Sequence, residues 1–233
     1  MAEANITFDY EISFPDGKTQ TFHLELDPDS LALIPIPQER YPEWTKLGCF
    51  QCSRCPLDPK DHPRCPVAEN LVVPTTAFAR DLSYKEVEVV IRTPSRNYQK
   101  KIALQNALRS LFGIYMTTSG CPILDKLRPL VASHLPFASV TETAFRVFSM
   151  YALAQCFIQK RGGTPDWDFK RLGKIYQDVE GVNRDFHRRL VSAGLQDASL
   201  NAITNLNCYA QFNQMLLEPH GLGRIERLFK PYF

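Results

Sequence analysis

Apolar and polar residues alternate along the start of the chain in the pattern of half-buried strands. Every second residue is apolar from Ile6 to Phe14 and again from Phe22 to Leu26, and the turn residues Pro15-Asp16-Gly17 separate the two runs. A third alternating run, from Lys85 to Thr93, predicts a third strand. These runs predict a small antiparallel three-stranded sheet in the N-terminal part of the chain.

Apolar residues recur at spacings of three and four in the second part of the chain, which is typical of amphipathic helices. The predicted helices cover residues 98–116, 122–133, 141–162, 167–193 and 197–217, with a last short turn at 224–229. Residues 1–97 and 98–233 are thus predicted to form a small sheet and a helical bundle, an architecture of the α+β class. We expect the two parts to fold as one integrated domain.

A segment rich in proline and cysteine, residues 34–74, separates the second predicted strand from the third. Its prolines argue against long regular elements, and loops of this length are uncommon in a compact domain unless something holds them in place. Its cysteines are Cys49, Cys52, Cys55 and Cys65. Thiolates ligate zinc and iron–sulfur clusters, and Cys-x-x-Cys spacing lets two sulfurs reach one metal. The pattern therefore predicts a metal that holds the loop in place.

The ligand set and the metal are both open at this point. Cys52, Cys55 and Cys65 are common to every version of the site, and the fourth ligand is either the nearby Cys49 or the distant Cys121. We favour a zinc ion, because a structural ion demands less of its surroundings than a redox centre does. An iron–sulfur cluster is the alternative, since three cysteines at two-residue intervals followed by a later Cys-Pro are similar to ferredoxin ligation.

The segment Ser119-Gly120-Cys121-Pro122 has the composition of a helix start, with proline in the first helical position. Cys121 is then expected at the N-cap, where the helix dipole and the free backbone N–H groups favour a thiolate. This position suits a metal ligand, a redox thiol or a nucleophile, and it equally suits a small buried capping residue.

The predicted helix 141–162 is apolar nearly all round, so we expect it to be central. Glu142 and Arg146 interrupt the apolar surface at a spacing that allows an ion pair, and His134 precedes the helix. Buried charges cost several kcal/mol unless they are paired. The two charged residues therefore predict either an internal ion pair or a pocket formed by His134, Glu142 and Arg146.

The charge balance argues against a polyanionic partner. The 233 residues include 27 basic and 25 acidic side chains, which leaves a net charge of +2. The basic residues around His187, which are Arg184, Arg188 and Arg189, have acidic neighbours and are expected on a solvated helix face. Neither a signal peptide nor a membrane-spanning run is visible, so we expect a cytoplasmic protein that neither inserts into membranes nor binds nucleic acid.

Several motifs resemble those of a bacterial family of unknown function, and the likeness extends over nearly the whole chain. They are the N-terminal hairpin, Cys52-x-x-Cys55-Pro56-Leu57, Cys65-Pro66, Ser119-Gly120-Cys121-Pro122, His134-Leu135-Pro136-Phe137, Glu142-Thr143 and Met150-Tyr151. The resemblance implies a bacterial cytoplasmic protein and supplies no activity. It also implies that Cys52, Cys55, Cys65 and Cys121 are the cysteines of the site, with Cys121 as the fourth ligand.

Three functions follow as hypotheses. The first is a metal-binding protein, with zinc favoured, that binds a protein partner or a small ligand. The second is an iron–sulfur protein that senses redox state or carries electrons. The third is an enzyme that uses Cys121, His134 and Glu142, although no P-loop, dinucleotide-binding, zincin or nucleophile-elbow motif is present.

Overall fold

A four-stranded antiparallel sheet forms the N-terminal part of the fold. The structure, a computed structural model, describes residues 4–218 and 221–233. The strands are β1 Ile6–Ser13, β2 Thr19–Leu26, β3 Glu86–Arg92 and β4 Asn97–Ala103, in the order β2-β1-β3-β4. Tyr10 lies opposite Phe22 on β2 and opposite Ile91 on β3, and all three side chains are buried. The alternating apolar residues thus share one face of the sheet.

The prediction of three strands was wrong, because residues 97–103 form strand β4 and not the start of a helix. Tyr98 lies opposite Ile91 and Ile102 lies opposite Val87, while the residues between them are exposed. β4 is an edge strand whose exposed Lys100 and Lys101 protect the sheet edge from pairing with other chains. Its polar stretch does not alternate, so the hydrophobic pattern gave no sign of it.

Helix α1, Pro66–Ala77, occupies the end of the proline-rich segment, where we predicted no long regular element. Pro66 stands at the first helical positions, where a missing N–H costs nothing. The remaining helices are α2 Leu104–Thr117, α3 Val140–Lys160, α4 Lys170–Ser192, α5 Asp197–Met215 and α6 Gly223–Glu226, with 3₁₀ segments at Glu43–Thr45, Leu124–Ser133 and Arg227–Tyr232. The helix predicted over 122–133 is therefore a 3₁₀ segment with Pro129 inside it.

Helix α2 connects the sheet to the other helices. It contacts β3, β4, α1 and α5, and Leu104, Leu108 and Leu111 on it have no exposed surface. Side chains from the sheet and from the helices share one buried apolar cluster.

Helix α3 is not central, contrary to our prediction. Phe145, Leu153 and Phe157 on it are 39%, 56% and 50% exposed, so one of its apolar sides faces solvent. Within the described residues, no helix combines the length and apolar character needed to cross a membrane.

Candidate functional site

Four cysteines line one small cavity between the cysteine loop, residues 46–65, and the helices. They are Cys52, Cys55, Cys65 and Cys121, and the cavity has a volume of about 20 Å³. Cys49 does not line it; the backbone N–H of Cys49 closes a turn with the carbonyl oxygen of Lys46 at 3.1 Å. The fold therefore brings together three of the four loop cysteines and the distant Cys121.

The Cys65-Pro66 pair starts helix α1. Cys65 is the residue before Pro66, and the nearby backbone N–H groups of Ala68 and Val67 favour negative charge on its sulfur, although they form no side-chain capping hydrogen bond. Proline has no N–H, so the next two residues supply the free donors of the first helical turn.

The Cys121-Pro122 pair repeats this arrangement. The backbone N–H groups of Leu124 and Ile123 favour negative charge on the sulfur of Cys121, at the same offsets as those that follow Cys65. The carbonyl oxygen of Cys121 accepts from the N–H of Asp125 at 2.9 Å, so a helical turn begins at Cys121 although the regular 3₁₀ segment begins at Leu124. Backbone donors thus stabilise negative charge on two of the four sulfurs.

Burial favours the neutral thiol form of Cys52, Cys65 and Cys121 in the absence of a cation. It raises the pKa of Cys52 to about 12 and the pKa of Cys121 to about 11, and it raises the pKa of Cys65 despite the backbone donors. Within residues 4–218 and 221–233, no three Cys, His, Asp or Glu side chains are grouped so that they could hold a metal ion. The thiols surround a shared space without forming a coordination sphere.

Helix α4 holds the cysteine loop in place through side chains that the sequence did not single out. Asp185 accepts hydrogen bonds from the backbone N–H and the hydroxyl of Ser53, both at 2.9 Å. Arg54 forms an ion pair with Asp178. We expected the loop to have no source of order besides a metal, and α4 is such a source.

Arg189 on α4 forms the most extensive of these contacts between the helix and the loop region. Its guanidinium donates to the carbonyl oxygens of Trp44, Lys46, Leu47 and Phe50 at 2.6, 2.6, 3.2 and 3.1 Å. The side chain has no exposed surface and lines the cysteine cavity. In the described part of the chain it forms no ion pair, and its Nε has no hydrogen-bond partner.

We predicted Arg189 on a solvated face, and this was wrong. Arg189 follows Phe186 by three positions and Val182 by seven, which places it on the buried face of α4. That spacing is a signal in the sequence, but the adjacent basic residue Arg188 is typical of a solvated face and conceals it.

A second and larger cavity, of about 170 Å³, lies among α2, the segment Leu124–Ser133, α3, α4 and α5. His134 and Arg146 line it, as the predicted pocket requires, whereas Glu142 does not. Glu142 is exposed and caps α3, where its carboxylate accepts from the N–H and the hydroxyl of Ser139 at 2.8 and 2.7 Å.

The alternative that we weighed, an internal ion pair between Glu142 and Arg146, is not formed. Arg146 Nη2 instead donates to the carbonyl oxygen of Leu130 at 2.6 Å.

His134 belongs to a polar network at the edge of this cavity. Its Nε2 is hydrogen-bonded to the Tyr10 hydroxyl at 2.9 Å and to Ser110 Oγ at 3.3 Å. Burial, followed by the charges of Arg146 and Arg109, lowers the pKa of His134 to about 3. A neutral imidazole of such low basicity is a poor general base at neutral pH, so the contact with Ser110 favours a structural role.

The residues of the enzyme hypothesis lie in three different surroundings. Cys121 lines the cysteine cavity, His134 lines the larger cavity, and Glu142 caps a helix at the surface.

Arg109 is a cavity residue that our sequence reasoning missed. It lines the larger cavity, and its guanidinium carbon lies 4.0 Å from the centre of the Tyr209 ring. As a single basic residue on an amphipathic helix, it carried no distinguishing signal.

The fold and the first cavity define an α+β protein in which four cysteines surround a small space between a loop and a helical bundle. The chain belongs to the family described as a domain of unknown function (DUF6901), whose sequence model matches residues 8–230. Comparisons with curated proteins and with solved structures give no match.

Proposed function

We propose that this protein binds one zinc ion through the thiolates of Cys52, Cys55, Cys65 and Cys121, and that the ion cross-links the cysteine loop to the helical bundle. The observation that carries the proposal is that these four thiols, three from the loop and one from beyond α2, line the same cavity. Four thiolates are the ligand set of a closed structural zinc site.

The size of the cavity favours a single ion over a cluster. A volume of about 20 Å³ accommodates roughly one water-sized sphere. An iron–sulfur cluster adds several iron and sulfide atoms to the same four ligands, so it would require a much larger displacement of the walls.

The charges around the cavity also favour a metal–thiolate centre. Four thiolates around a divalent cation carry a net negative charge, which burial penalises unless it is compensated. Arg189 supplies a buried positive charge at the cavity wall, where it has no acidic partner among the described residues. The backbone N–H groups that follow Cys65 and Cys121 also favour negative charge on these two sulfurs.

Zinc binding requires the four thiols to bind as thiolates and to converge on the ion. A bound cation lowers the pKa of a coordinating thiol far enough to deprotonate it. Neutral thiols have no charge that draws them to a common centre, so we expect the coordination sphere to form by rotation of the four side chains when the ion enters. The contacts of Asp178, Asp185 and Arg189 already hold the loop, so the ion acts on a loop that is in place.

Elemental analysis of the purified full-length chain tests the proposal. We expect about one zinc ion per chain in the wild type and a loss of most of it in Cys52→Ser, Cys65→Ser and Cys121→Ser. Cys49→Ser and Cys208→Ser are the matched controls, because neither residue lines the cavity, and they should keep the ion.

Three results would overturn the proposal. One is a protein without metal after anaerobic preparation and zinc addition. Another is a brown protein containing iron and acid-labile sulfide, which would identify the cluster. The last is a Cys121→Ser variant that retains zinc while Cys49→Ser loses it.

A further inference from the structure

Two partly buried arginines, Arg109 and Arg146, line the larger cavity, and its wall contains no acidic side chain. We propose that this cavity binds a small organic anion, an aromatic monocarboxylate, with the carboxylate between Arg109 and Arg146 and the ring among the apolar side chains. None of the four cysteines lines this cavity, so the proposal stands whether or not zinc is bound.

The first argument is the uncompensated positive charge. Neither Arg109 nor Arg146 forms an ion pair within the described residues, and the Nε of each is buried without a hydrogen-bond partner. Burial lowers the pKa of both groups, but arginine remains charged. Two such charges at the wall of one cavity cost free energy in the empty protein, and a bound anion would offset that cost.

The second argument is an unpartnered amide at the same cavity. Asn213 on α5 is 2% exposed, lines the cavity, and has no partner for its Oδ1 in the described structure. Asn183 on α4, 3% exposed, lines the cavity as well. An amide side chain can turn to present its NH₂ group, so both residues offer neutral donors to a carboxylate.

The third argument is the apolar remainder of the wall and its size. The apolar residues include Ile114, Leu124, Leu127, Val131, Val179 and Leu206. An apolar cavity of about 150 Å³ accommodates a benzene ring, and this one measures about 170 Å³. His134 at the edge is neutral, so it adds no charge that competes for the anion.

Benzoate and benzamide, added to the full-length protein at constant ionic strength, provide the decisive comparison. The two probes have nearly the same shape, and only benzoate is charged. Their binding is followed by the chemical shifts of ¹⁵N-labelled protein, which also report which residues respond. We expect saturable binding of benzoate, at least about tenfold tighter than that of benzamide, with the responding amides on α2, α3 and α5.

The variants Arg109→Gln and Arg146→Gln should each weaken benzoate binding by about tenfold or more and leave benzamide binding nearly unchanged. Arg96→Gln is the matched control, since Arg96 is exposed in the turn before β4, and it should bind benzoate like the wild type.

The probe comparison needs no variant, so it decides the question even if a substituted arginine prevents folding. Equal affinity for the two probes, no saturable binding of benzoate, or responses confined to residues outside the cavity would each overturn the proposal.

Discussion

Arg189 Nη1 donates a hydrogen bond of 2.6 Å to the carbonyl oxygen of Lys46, across 143 positions of the chain. The carbonyl oxygens of Leu47 and Phe50 in the same loop, and that of Trp44 just before it, also accept from this guanidinium. The buried guanidinium of Arg189 therefore orders the backbone at the start of the cysteine loop. Its effect on stability and its effect on metal binding can be measured separately.

Removal of the Arg189 guanidinium should destabilise the fold strongly. Arg189→Met keeps much of the side-chain volume but leaves buried carbonyl oxygens without donors, so we expect the free energy of unfolding to fall by about 3–5 kcal/mol. Urea unfolding of the metal-free protein measures the change. Arg188→Met, in which the lost side chain is 67% exposed, is the control and should change stability by less than about 1 kcal/mol. A loss in Arg189→Met no larger than in this control would contradict the assigned role.

Metal binding should protect the cysteine loop from trypsin. Arg54 is 49% exposed and lies between Cys52 and Cys55, so a cross-link at these two residues restricts the backbone that the protease must open. We expect cleavage after Arg54 to be about tenfold faster in Cys52→Ser, or after zinc is removed with a chelator, than in the zinc-loaded wild type. Cys208→Ser should behave like the wild type. Equal cleavage rates with and without zinc would show that the contacts from α4 alone protect the loop.

The pKa of His134 predicts a dependence of stability on pH. Its pKa is about 3 in the folded protein, against an ordinary value of 6.5, because burial and the charges of Arg146 and Arg109 disfavour the imidazolium. Below about pH 6.5 the unfolded chain binds a proton that the folded chain does not. This difference lowers the free energy of unfolding as the pH falls toward 3, by at most about 1.4 kcal/mol per pH unit, and it has no effect above that range. His134 keeps some exposed surface, so we expect the decrease to end at a higher pH and to be smaller in total than a fully buried imidazole would give.

The measurement compares urea midpoints at about pH 7.5 and about pH 5 in the presence of a chelator, so that metal release does not contribute. His134→Gln should lose part of the decrease between the two pH values, and His187→Gln should retain it. An unchanged decrease in His134→Gln would assign the acid sensitivity to other groups.

The sequence predicted those elements that are defined by burial on one face. The runs at β1, β2 and β3 alternate because one face of each strand packs into the core, so they were confirmed. Strand β4 was not predicted, because it is defined by its pairing with β3 at the sheet edge and not by burial of one face. The helices at α3, α4 and α5 were also found close to their actual bounds.

Only those residues of the candidate site that lie close together in the sequence could be predicted from their spacing. Cys52, Cys55 and Cys65 stand out within a short segment, and a family resemblance was needed to favour Cys121 over Cys49 as the fourth cysteine. The buried position of Arg189 depends on which face of α4 meets the loop, and that is a tertiary contact. Arg109 on α2 and Arg146 on α3 line the same cavity, and this too depends on how the helices pack together.

The charge of Arg189 should be coupled to the metal. If a zinc–thiolate centre is the negative partner of this buried cation, zinc must bind more weakly when the cation is absent. We expect Arg189→Met to raise the dissociation constant for zinc by about tenfold or more, and the gain in melting temperature on adding zinc to be smaller than in the wild type. Arg189→Lys keeps the charge but not the planar group of donors, so it should restore much of the zinc affinity while recovering less of the stability of the metal-free protein.

The effect on zinc affinity should persist at high salt, because buried charges are screened much less than exposed ones. Titration of zinc against a competing chromophoric chelator measures the constants, with Arg188→Met as the exposed control. Equal zinc affinity in Arg189→Met and Arg188→Met would limit Arg189 to holding the loop.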